Sequence, residues 1–172
     1  TCPDLVDNDP AAHTREHSIE VQVPFVQYLF PEARIVPLMV NPTRDAVEVG
    51  RRIGERLASY PTPVAILGST DLTHYGPSFG FTPFGVGAAS VAPMKQNDQT
   101  IIDFVTTMKA AEVIIEAEKH RNACGAGAIA ATVAAAAALG ATKGYLLEHI
   151  TSQEVMPERP ASDFVGYAGI VF

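Results

Sequence analysis

Val64-Ala65-Ile66-Leu67-Gly68-Ser69-Thr70-Asp71-Leu72-Thr73-His74-Tyr75-Gly76 is an apolar run that ends in small polar residues, an acid and a histidine. A short strand of this kind delivers titratable groups at its carboxyl end. In open α/β sheets ligands bind at that end, because loops and helix amino termini converge there. Two further stretches offer matching chemistry. Arg15-Glu16-His17-Ser18-Ile19-Glu20-Val21-Gln22-Val23-Pro24-Phe25 supplies another histidine. Asn122-Ala123-Cys124-Gly125 supplies a thiol ahead of a very apolar helix. Two histidines and a cysteine at three loop-to-element junctions point to a metal or redox-active site.

The flanking pattern predicts alternating helices and strands. Residues 1–14 read as loop from their Pro, Asp and Asn content. Ile19, Val23, Val26 and Phe30 form one apolar stripe and predict a helix over 15–30, whose regular start Pro24 kinks or delays. A strand is predicted over 34–40 with Pro37 marking an edge or bulge, a helix over 45–59, and a strand over 63–68. Residues 77–93, rich in Gly, Pro and Phe, read as a long irregular loop of the sort that walls a site. Helices are predicted over 95–107, 110–119 and 126–139, and strands over 145–150 and 164–172, with a polar loop between the strands. The pattern predicts one α/β domain over 1–172, a largely parallel or mixed sheet with helices on both faces.

Composition narrows the function classes. With 172 residues, 47% hydrophobic and 18% charged, the chain has the make-up of a globular domain with a real core. A net charge of −7 and a pI near 5.1 argue against nucleic acid or an anionic membrane surface as partner. The longest apolar stretch, Ala126 to Leu139, is too short to span a bilayer. Cys2 and Cys124 allow at most one disulfide. Cys2 lies in a leader that reads as mobile, so no bridge is expected and a cytoplasmic setting is. The first residues, Thr1-Cys2-Pro3-Asp4, are mid-loop chemistry, and the chain is expected to be part of something longer.

Each candidate residue also has a plainer reading. Asp71, three residues before His74, can orient its imidazole, or can cap a turn beside a surface histidine. His17 shares a helical face with Glu20 and stands beside Glu16; the pair can ligate a metal, or the acids can simply cap a first turn. Cys124 at a helix amino terminus can be a nucleophile, a soft metal ligand or a buried inert residue. His13, His120 and His149 read as structural or solvated.

Taken together, the motifs resemble those of the Memo family. Arg15 to Phe25 is similar to its EHSIE-x-x-x-P segment, Ser69 to Gly76 to its S-[ST]-D-x-x-H-[YW]-G segment, and Cys124-Gly125 to its Cys-Gly segment before an apolar helix. The ending, Gly140 through Val165-Gly166-Tyr167-Ala168, is similar to the family's last strands. Memo-like proteins are longer at the amino end, where a further strand and a PHAG-type motif supply another histidine counted as a metal ligand. The resemblance thus implies the carboxyl-terminal three-fifths or so of a Memo domain, with a three-layer fold similar to class III extradiol dioxygenases. It implies His17 and Cys124 as metal ligands, and His74, with Asp71 beside it, as the catalytic base. Fe(II) or copper is the implied ion, a thiolate in place of the dioxygenases' carboxylate favouring copper or altering the potential of iron. Ala126 stands where the family often has a basic residue after Cys-Gly, and His149 where an aromatic is common.

Two function classes follow. One is metal-dependent oxidation of a small oxygenated substrate; the other is a non-catalytic protein whose cleft binds a peptide or small ligand. With only His17 and Cys124 as direct ligands, metal in this chain is expected to be weakly held or absent.

Overall fold

The computed structural model describes residues 7–172, so Cys2 and the first residues of the leader lie outside it. A 3₁₀ turn, Pro10–His13, opens it, and the Asp9 carboxylate accepts from Ala11 N–H at 3.0 Å. Helix α1 covers Val23–Leu29 only. The helix expected over 15–30 therefore starts late, with Pro24 in its first turn, where a missing N–H costs nothing. Four longer helices follow: α2 (Asp45–Ala58), α3 (Val91–Thr106), α4 (Ala110–His120) and α5 (Ala126–Ala138). Among the described residues no helix is long and apolar enough to cross a membrane.

The strands are β1 (His74–Tyr75), β2 (Tyr145–Thr151) and β3 (Phe164–Val171), in the order β1-β3-β2 and all antiparallel. The short helix α6 (Ser152–Val155), opened by a Thr151/Glu154 capping box, lies in the polar loop between β2 and β3. The α/β class is as expected, but the described ladders include no parallel pair. The runs predicted as strands over 34–40 and 63–68 stand outside every ladder. Their side chains have strand composition, yet Val36, Leu67 and Met39 remain exposed. A strand needs a neighbour to satisfy its backbone, and composition cannot supply one.

The core rests on small residues. The buried stripe of α2 is Ala46, Gly50 and Gly54, whereas Val49, Ile53 and Leu57 beside it are only half-buried. A Cβ on Gly50 would collide with the carbonyl of Ala131, and one on Gly54 with Ala135 and Ala138 of α5. The two backbones are therefore in direct contact, which fits the small residues, Ala131, Ala135 and Ala138, on the face that α5 turns to α2. Its other face packs on α4, and α3 packs on α4 in turn, around Ile101, Ile102, Val113 and Val133. A second cluster, Tyr75, Met94 and Phe164 with Phe81 and Val91, fixes β1 against α3.

Replacing an interior helical glycine by alanine ordinarily stabilises a protein by about 0.5–1 kcal/mol. At Gly50 the sign is expected to reverse: Gly50→Ala should cost about 1–3 kcal/mol in urea unfolding, because α2 must move off α5. A neutral or stabilised variant would refute the backbone contact.

Candidate metal centre

Residues 69–76 leave the apolar run and enter β1, extended by Leu72 N–H donating to Gly166 O (2.9 Å) and Gly166 N–H to Thr73 O (3.0 Å). Thr73 is held from behind as well, its N–H donating to the buried Asp98 carboxylate at 3.0 Å. His149 Nε2 lies 3.1 Å from the other Asp98 oxygen. Gly166 makes this reach available, since any Cβ there would collide with Asp98. Burial pushes the Asp98 carboxyl above its ordinary value, against the hydrogen bonds from Thr73 and His149.

The Cys124 segment is sewn to this one across the chain. Cys124 N–H donates to Asp71 O at 3.1 Å, and Gly125 N–H to Thr70 Oγ1 at 2.9 Å. The bonds satisfy donors at the amino end of α5 and place the Cys124 sulfur 3.8 Å from Thr70 Oγ1. One donor atom each from Asp71, His74 and Cys124 then lies within 4.8 Å of the others. Asp71 and His74 are half-buried; Cys124 is an exposed free thiol. His74 Nε2 is 3.2 Å from Asp71 Oδ2, and the other side of the imidazole faces the Phe79 ring at 5.0 Å between centroids.

His17 is outside this three-residue group. Its neighbour is nevertheless docked there, because Ser69 Oγ donates to Ser18 O at 2.8 Å. Glu16 turns to its own segment, accepting from Ser18 Oγ and from Ile19 N–H. Burial works to raise its carboxyl, and those hydrogen bonds outweigh it, leaving it below its ordinary value. Such an acid caps a turn. His120 pairs with Glu116 at 2.7 Å and His149 with Asp98, which fits the structural reading of both. Tyr167 was not singled out by sequence, yet burial and the nearby Asp71 charge raise its phenol above the ordinary value. It lies in the family-like ending and in β3, one residue past the Gly166 that pairs with Leu72 and Thr73.

An imidazole, a carboxylate and a thiol suit a transition-metal ion. Bound to one ion at about 2.0–2.3 Å each, such donors stand roughly 3–4 Å apart. The three donor atoms, all within 4.8 Å of one another, stand somewhat wider than that spacing. The donor set fits iron, copper or zinc better than magnesium or calcium, which favour oxygen alone.

A family model described as Memo-like protein matches residues 1–171. A MEMO1 family protein of Methanopyrus kandleri is 36% identical over 172 residues, covering 98% of this chain and 56% of that protein. One from Thermococcus onnurineus is 35% identical over 176 residues, with 98% and 60% covered. A third, from Methanosarcina barkeri, is 36% identical over 172 residues, with 97% and 59% covered. The chain thus spans a little over half the length of the relatives it matches.

Asp98 has a folded-state value raised above its unfolded one, so its contribution to stability is fully present below the unfolded value and is lost as pH rises through the folded one. Asp98→Asn, which keeps an acceptor for Thr73 N–H, should flatten that decline in urea midpoints measured upward from pH 4. An unchanged slope would show that the carboxyl does not titrate as its burial dictates. Thr70→Val leaves Gly125 N–H unpaired and should cost about 1–2 kcal/mol in the same measurement.

Proposed function

This chain belongs to the Memo-like protein family, and from that premise we propose that Asp71, His74 and Cys124 hold a redox-active ion, Fe(II) or copper, in a cleft that oxidises a small oxygenated substrate. The observation that carries the reading is the convergence of the three donor atoms within 4.8 Å from segments some fifty residues apart. The full-length protein would complete a three-layer fold similar to that of class III extradiol dioxygenases, and a reducing cytoplasmic setting would keep the Cys124 thiol available as a ligand.

A bound ion of this type supplies Lewis acidity and electron exchange with dioxygen. The residues around it have separate tasks. Cys124 contributes a soft donor at the rim, where α5 begins and the positive end of its dipole favours negative charge. Asp71 orients the His74 ring, and the Phe79 ring lies against it. Tyr167 places a protonated phenol beside Asp71, a donor for a substrate oxygen. On this reading Asp71, His74 and Cys124 would be the three ligands this chain offers, where the sequence offered two.

A second reading has its own support in the Asp71–His74 hydrogen bond and in the Ser69–Ser18 contact that docks the His17 segment. There His17 and Cys124 are the ligands, and His74 is a general base that takes a proton from a substrate hydroxyl. The two differ at one substitution. With His74 as ligand, His74→Gln should lose metal by elemental analysis after anaerobic Fe(II) or copper loading. With His74 as base, the variant should keep its metal and turn over about 10²-fold more slowly. Cys124→Ser should lower metal affinity under both, because a hydroxyl coordinates poorly where a thiolate binds well. Full-length protein that binds metal yet takes up no oxygen with a panel of catechols would favour the non-catalytic alternative, a cleft that binds a peptide or small ligand.

A further inference from the structure

We propose that Arg121 is a positioning residue of this site, clamping the aromatic wall of residues 77–87 so that Phe79 stays against His74. The proposal rests on reading Asp71, His74 and Cys124 as the site. Arg121 closes α4 in a left-handed conformation, φ 53°, with its N–H donating to Ala117 O at 2.9 Å. Glycine is at ease there, and a Cβ is not. An arginine in that position calls for a use of its side chain.

The use is visible. One guanidinium nitrogen donates to Gly80 O and another to Phe79 O, both at 3.1 Å. The same plane lies over the Phe81 ring, 4.8 Å from its centroid. A planar fork satisfies two neighbouring carbonyls and stacks on an aromatic face at once; an ammonium does not. Phe79, whose carbonyl is gripped, is the residue that faces the His74 imidazole. Other contacts tie the wall to the strands: Tyr75 Oη donates to Gly85 O (2.7 Å) and accepts from Phe84 N–H (2.9 Å), and Asp163 accepts from Ser78 N–H (2.8 Å). Arg121 ties it to the α4–α5 loop, three residues before Cys124. The one side chain thus joins the segment that covers His74 to the segment that carries the thiol.

Two variants of this chain, Arg121→Gly and Arg121→Lys, test the proposal without metal or substrate. Glycine removes the fork while relieving the left-handed residue, so thermal stability should hold or rise. Amide hydrogen exchange across residues 78–82 should nevertheless quicken about tenfold or more as the wall opens locally. At fixed pH, the His74 ring protons should lose the ring-current displacement that Phe79 imposes; His74→Gln assigns those signals, and Phe79→Leu shows the size of the displacement. Arg121→Lys keeps the charge without the fork and, without glycine's relief of the left-handed residue, should change both readouts as glycine does. The proposal is overturned if Arg121→Gly leaves both readouts unchanged, if lysine restores both, or if both variants unfold, which would make Arg121 an anchor of the fold. A chain that binds no metal would remove the functional reading and leave this result untouched.

Discussion

Two backbone N–H groups at the start of α5, those of Cys124 and Gly125, find their acceptors on Asp71 and Thr70, more than fifty residues earlier. Everything that gives the site its character depends on this pairing. The donors belong to the turn of a helix that has no intrahelical partner for them, so they must be satisfied from outside. Satisfying them from the 70–71 segment brings a thiol, a carboxylate and an imidazole to one place without a dedicated scaffold. The requirement is one of backbone chemistry; the cluster of side chains follows from it.

Behind the cluster, rigidity comes from buried polar groups. Asp98 holds Thr73, Asn97 reaches both Thr73 Oγ1 (3.1 Å) and His120 O (3.0 Å), and the fully buried Asn122 donates to Asn97 O (2.9 Å) and to Glu116 (3.0 Å). These bonds run from β1 through α3 to the loop that carries Cys124. A network of this kind fixes relative positions better than apolar contacts do, because leaving any member unpaired carries a desolvation cost. Two residues on either side of the site, His74 and Cys124, are thereby referenced to the same helix.

Helices α2 to α5 were legible in the sequence because their apolar and alanine-rich patterns repeat at helical spacing, although α3 begins at Val91, inside the stretch expected as loop over 77–93. The Asp71–His74 pair was legible from its spacing of three, and Cys124 from its place ahead of an apolar run. Less could be read where partners are distant. Runs 34–40 and 63–68 have the composition of strands, but pairing is a property of two segments, and one segment does not contain it. The buried face of α2 is not legible from its large residues Val49, Ile53 and Leu57, because Gly50 and Gly54 make the contact. Thr70 lies in the Asp/His motif and Phe79 in the loop that reads as a wall, but their partners, like those of Arg121, come from cross-chain register, which no local pattern announces.

The contact between α2 and α5 has a mechanical side. Where two helices meet through large side chains, rotamer changes let one slide over the other. Here Gly50 and Gly54 bring backbone against backbone, with no side chain between to yield. The pair is a single stiff plank, and Cys124 is mounted at its end. A force on the Cys124 segment would load α2 as well as α5, because the two backbones touch at Gly50 and Gly54.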